Sequence, residues 1–260
     1  MSDDILDQPL TRWRETIARF HTGTYGVVLV TTGGGSSAIA MLQSVPGASA
    51  TLLEAQVPYC NRALDEFLGS RPDQYCAATT ALDMAVSAYR RARHLSGRPD
   101  TPVIGVSCTA SLVSQRPKRG EHRAYIAVQT PTHTCLQTLK LQRAIRDRQT
   151  EELLVGEHVL RGLVQAVDVP DVPQIPLGTG DTSQLSQHTA DPLLASLWHK
   201  RINHVWAGPD GRMHADLQPP VSALLCGSFN PLHAAHTQLR EVSQCILGRT
   251  VGFELSITNA

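Results

Sequence analysis

The chain has 260 residues, 42% of them hydrophobic and 18% charged, with 23 basic side chains against 23 acidic ones. That length allows one large or two small domains, and the even charge excludes the electrostatic footprint of a nucleic-acid or anionic-membrane binder. No apolar run reaches the ~18 residues that span a bilayer, so neither nucleic acid nor membrane is an expected partner.

The N-terminal MSDDILDQPL is acidic and lacks the basic and apolar regions of a signal peptide. A cytoplasmic protein is therefore expected. Cys60, Cys76, Cys108, Cys135, Cys226 and Cys245 are scattered without a C-x-x-C pair, which reads as reduced thiols and no metal site.

Leu10, Trp13, Ile17 and Phe20 fall at helical spacing and predict a first amphipathic helix over 9–20. YGVVLVTTGGGSSAIAMLQSVPG then reads as a strand over Val27–Val30, a glycine turn, and a helix stopping before Pro46. Further helices are expected over Arg62–Leu68 and Thr80–Leu95, the latter ended by Gly97 and Pro99. Val103–Ser107 reads as a buried strand, while 124–130 and 134–142 alternate well enough to form a hairpin. A helix over Glu151–Val167 completes the unit. Helices and strands mixed in this order predict an α/β fold of three layers over residues 1–168.

Residues 169–192 are rich in proline, glycine, serine and threonine and are expected to be a linker. Within a connecting segment, 193–220, LLASLWHKRI suits a short helix and VWAGPDGRMH a small hairpin. From Val221 to Ala260 the pattern restarts as strand (Val221–Cys226), glycine turn, helix (Leu232–Leu247) and strand (Val251–Ile257), a Rossmann-like β-α-β unit.

Within that unit, GSFNPLHAAH (227–236) puts a sharp turn before a helix whose free N–H groups attract phosphate. His233 and His236, three residues apart, can face the same anion. The stretch resembles the (H/T)-x-G-H nucleotidyltransferase superfamily, which includes cytidylyltransferases and the adenylyltransferases of nicotinamide and nicotinate mononucleotide. The resemblance implies phosphate contacts from Gly227, Ser228, Phe229, Asn230, His233 and His236, with ATP or CTP as substrate and Mg2+ assisting. Ala235 stands where the family has glycine between the histidines. The family's second phosphate motif is missing, so this part is expected to be an incomplete nucleotidyltransferase-like domain that holds half a catalytic site.

Near the other end, TGGGSSAIAMLQSVPGASATLLEAQVPYCNRAL followed by TTALDMAVSAYRRA resembles the CinA C-terminal domain family, whose active members are nicotinamide-nucleotide amidases. The resemblance covers roughly residues 24–167. Pro46, Gly47, Ser49, Tyr59 and Asn61 fit the family pattern, and the nucleophile position falls on Thr31, or on Val30 if the extra residue near Gly35 is placed differently. The activating lysine position falls on Leu64. A hydroxyl needs a nearby base to attack, so a degenerate amidase-like pocket with Thr31, Gly34, Gly35, Tyr59 and Asn61 is expected.

The basic run at 116–120 reads as a solvated turn, and Cys108 as a small buried residue. His94, His122, His133, His158 and His188 lack metal-ligand spacing and are expected on surfaces or in loops. The leading expectation is a nucleotidyltransferase-like protein of pyridine-nucleotide metabolism, resembling nicotinamide mononucleotide adenylyltransferases. The alternatives are a CinA-type nicotinamide-nucleotide amidase and a non-catalytic nucleotide-binding module. Small nucleotides are the expected partners, and homo-oligomerisation stays open.

Overall fold

The buried run GVVLVTT forms β1 (Gly26–Thr32), which lies at the centre of a parallel layer in the computed structural model. Residues 7–97, 101–115, 120–215, 217, 220–227, 229 and 232–255 are described, and the chain divides into two units, Met1–Ala190 and Asp191–Ala260.

In unit 1, β1 pairs in parallel with β2 (Leu52–Gln56) and β3 (Val103–Ser111). Antiparallel pairing then carries the sheet through β4 (His122–Gln129), β5 (His133–Leu141) and β6 (Thr182–Thr189), giving the order β2-β1-β3-β4-β5-β6. Burial on both faces explains the near-continuous apolar run of β1. On one face lie α1 (Asp7–His21), α2 (Ser37–Gln43) and α6 (Arg148–Gln165), whose Trp13, Phe20, Met41, Val155 and Leu163 share a core with Val27, Leu29, Val106 and Ile126. On the other lies α5 (Ala78–Ser96), reached through the short α3 (Ala48–Thr51) and α4 (Asn61–Leu68). The α/β class and the three layers follow.

Small residues let α5 approach closely. A Cβ on Gly105 of β3 would stand 2.2 Å from the Ala85 carbonyl oxygen and 2.3 Å from the Tyr89 nitrogen. That contact fixes α5 over β3 and thereby the loop that precedes α5.

The stretch 169–192, expected to be a linker, supplies the edge strand β6. Its sequence TSQLSQHT is exposed along its whole length, so it has no buried face to impose alternation. Its backbone pairs along β5, and the residue just before it anchors its start. Asp181 accepts from Gln142 N at 2.8 Å and Gly178 N at 2.7 Å and pairs with Arg146, with its own side chain fully buried. Although burial raises the Asp181 pKa, the hydrogen bonds from Arg146, Gln142 and Gly178 outweigh it and hold the carboxyl below its usual range. The half-exposed β2 and the short α3 also lacked a readable period.

Unit 2 begins with α7 (Pro192–Trp198), whose first turn is capped by Asp191 accepting from Leu193 N at 2.8 Å. The hairpin of β7 (Val205–Ala207) and β8 (Met213–Ala215) follows. The last element is a β-α-β unit: β9 (Ala223–Cys226), α8 (Ala234–Leu247) and β10 (Val251–Glu254), with the two strands parallel.

Candidate functional site

The chain leaves β1 through α2 on one face of the sheet and returns from β2 to β3 through α5 on the other. The carboxyl ends of β1 and β3 are therefore a topological switch point, where open α/β sheets leave a crevice. A cleft of about 200 Å³ lies there, lined among others by Thr32, Gly33, Tyr59, Asn61, Thr109 and Arg148. Leu64, Tyr75 and Cys76 also line it.

Two of the expected pocket residues, Tyr59 and Asn61, line this cleft, and Thr31, Gly34 and Gly35 do not. Thr31 shares strand parity with Val27 and Leu29, whose side chains belong to the core beneath α1, α2 and α6. Its hydroxyl is buried without a hydrogen-bond partner among the described residues. Thr32, one residue on, faces the cleft instead.

The Thr32, Thr109 and Tyr75 hydroxyls in the cleft are already engaged. Thr32 Oγ1 donates to the Pro58 carbonyl at 2.9 Å, and Thr109 Oγ1 to the Tyr75 carbonyl at 2.7 Å. Tyr75 donates to Asp65 at 3.1 Å, and burial together with that carboxylate raises its pKa. Leu64, at the position the resemblance gives to an activating lysine, is 2% exposed and apolar. Arg148 reaches over the cleft, donating to the carbonyls of Gly33 at 2.9 Å and Val113 at 3.3 Å. Its guanidinium brings positive charge to the cleft rim and also lies 3.8 Å from Glu152 Oε2.

The glycine turn between β1 and α2 exposes backbone N–H donors at the start of the helix. In the structure the protein supplies its own anion: the Glu152 carboxylate accepts from Gly35 N at 3.0 Å, Ser36 Oγ at 2.8 Å and Ser37 N at 3.1 Å. Gly35 has φ +86°, and a Cβ there would press on Cys108 Sγ and Val155 at 3.2 Å. Cys108 is buried as expected, and burial pushes its thiol pKa far up, which removes it as a nucleophile.

His122 and His158 were expected at surfaces or in loops, and both are buried. His122 Nδ1 lies 2.7 Å from Glu151 Oε1, while Glu151 Oε2 accepts from Val113 N at 2.8 Å. His158 Nδ1 lies 2.8 Å from Gln137 Nε2. Burial, and next the charge of Arg161, lower the His158 pKa to about 4. Among the described residues no group of three or more His, Cys, Asp or Glu is placed to hold a metal. Residues 116–119 of the basic run lie outside the described residues.

In unit 2, Gly227, Phe229, His233 and His236 come together at the amino end of α8. The helix starts at Ala234, so His233 is its N-cap instead of a first-turn residue. The two imidazoles stack at 3.7 Å between centroids, and His233 N donates to His236 Nδ1 at 3.4 Å. Phe229, at φ +43°, sets its ring edge-on to His236 at 5.0 Å and beside Phe253 at 4.7 Å. A Cβ on Gly227 would meet the far edge of the Phe229 ring at 2.8 Å. Ser228 and Asn230 lie outside the described residues.

No helix among the described residues is long and apolar enough to cross a membrane. Neither a protein-family model nor a curated protein matches the chain. Among solved structures it is similar to the competence/damage inducible protein CihA from Agrobacterium tumefaciens, with 18% identity and a TM-score of 0.45 over 63% of this chain and 96% of that one. It is also similar to a competence-damaged protein (CinA) superfamily protein from Escherichia coli, with 14% identity and a TM-score of 0.44 over 64% and 92%. A competence or damage-inducible protein from Enterobacter asburiae gives 14% identity and a TM-score of 0.43 over 64% and 100%.

Proposed function

We propose that unit 1 is a binding module for a small pyridine nucleotide of the nicotinamide mononucleotide class, which it holds in the β1/β3 cleft without hydrolysing it. One observation carries this reading: both threonine hydroxyls in the cleft already donate to backbone carbonyls, and the neighbouring apolar Leu64 cannot take their protons. Tyr59, 67% exposed, offers a ring face to a base, and the Arg148 guanidinium offers its charge to a phosphate. Titration calorimetry with nicotinamide mononucleotide is expected to give saturable heat. Tyr59→Ala should weaken binding by about tenfold, the worth of one lost stacking contact. No ammonia is expected from the intact chain. Ammonia release would overturn the non-catalytic reading in favour of an amidase, and absence of heat would overturn the binding reading.

A second reading belongs to unit 2, where a specific arrangement favours it: paired imidazoles at the amino end of a fourteen-residue helix that follows a parallel strand. That helix end and the histidine donors suit the phosphates of ATP or CTP, with Mg2+ entering as the nucleotide's counter-ion. Nucleotidyl transfer to an acceptor such as nicotinamide mononucleotide is the activity this reading implies. Titration of Mg2+-ATP and Mg2+-CTP should give binding that His236→Ala weakens by about tenfold. Unchanged affinity in that variant would remove the histidines from the site.

A further inference from the structure

A second cleft lies in unit 1 on the α6 face of the sheet. It has a volume of about 190 Å³ and opens between α6 and strands β4, β5 and β6. Its apolar floor is Ile126 and Val128, and its polar wall is Arg161, Gln165, Gln137 and Ser183. No acidic side chain lines it, so the Arg161 guanidinium sets its charge.

The Arg161 guanidinium shows what kind of group would complete this wall. Arg161 Nη2 donates to the Pro173 carbonyl at 3.2 Å and lies 3.5 Å from Gln174 Oε1, while its Nε is buried with no partner among the described residues. Buried donors are nearly always satisfied, so an orphan beside a cleft calls for a missing acceptor. The rest of the wall is held firm. The Gln137 amide nitrogen lies 2.8 Å from both His158 Nδ1 and Ser183 Oγ, so Gln137 positions its neighbours, and the exposed Gln165 carboxamide is the group left for a ligand.

We propose that this cleft binds a small organic carboxylate with an apolar body, the carboxylate on Arg161 and Gln165 and the body on Ile126 and Val128. A guanidinium presents paired N–H donors that match a planar carboxylate. The apolar floor excludes inorganic anions as the better fit, and the single cation suits a monoanion over a phosphate dianion.

The test uses the full chain with benzoate as probe and benzamide, equal in shape and uncharged, as control, followed by nuclear magnetic resonance titration. Benzoate should saturate resonances of residues around the cleft, and benzamide should bind at least about tenfold more weakly, as expected for loss of a charge-assisted pair. Arg161→Gln should cost a similar factor. Gln165→Glu, an exposed change that leaves the core untouched, should repel the probe and do the same if Arg161→Gln fails to fold. Tyr59→Ala, in the other cleft, should leave benzoate binding as it is, which separates this site from the nucleotide reading. Equal binding of benzoate and benzamide, no binding of either, or full affinity in the Gln165→Glu variant would overturn the proposal.

Discussion

Glu152→Ala is expected to destabilise unit 1 by about 3 kcal/mol. The carboxylate receives two backbone N–H groups and one hydroxyl, and hydrogen bonds to a charged acceptor contribute ~1.5–3 kcal/mol each. The full sum is not expected, because Glu152 is 19% exposed and Ser36 is at the surface, so water can reach part of the vacated space. Glu152→Gln keeps the length and one acceptor oxygen, and it should cost roughly half as much. Urea unfolding of the three proteins at neutral pH checks the order. A Glu152→Ala variant within about 0.5 kcal/mol of the parent, the usual range of surface substitutions, would mean that the carboxylate does not hold the turn. The turn ends at the cleft through Gly33, so in the alanine variant nucleotide affinity should fall along with stability.

The sequence made the central elements legible where one physical signal dominated. GVVLVTT, VIGVS and the periodic face of α5 are buried runs or stripes, and each formed the element its pattern implied. The parallel β-α-β unit of the C-terminal region was equally readable from its glycine turn between two apolar runs. β6 escaped because an edge strand whose side chains all meet water has no reason to alternate.

The sites were less legible, for a reason of distance along the chain. The partners of the glycine turn lie 115 to 117 residues away on α6, and nothing local marks Glu152 as their anion. Arg148, the first residue of α6, reaches the cleft from the same end of that helix. Parity decided between neighbours: the motif alone could not say that Thr32 would face the cleft and Thr31 the core. Tyr59 and Asn61 were found because a family pattern named them, and both line the cleft.

Acid is expected to weaken unit 1 through His158. Burial, and secondarily the charge of Arg161, bring this imidazole to a pKa of about 4, against an ordinary 6.5, with Asp181 opposing the shift. The folded protein therefore keeps His158 neutral while the unfolded chain takes up a proton as pH falls through 6.5. Stability is lost across the window between 6.5 and about 4, because there the unfolded state binds more protons. One proton over that range is worth about 3 kcal/mol in total, and roughly half of it should be gone at about pH 5. Urea unfolding at a series of pH values in this window measures the slope. His158→Gln removes the titrating group, keeps a polar contact for Gln137, and should flatten the curve by about one proton even if it lowers stability at neutral pH. A variant with the same slope as the parent would show that His158 is already protonated in the fold, and that Gln137 and Arg161 tolerate a second positive charge beside them.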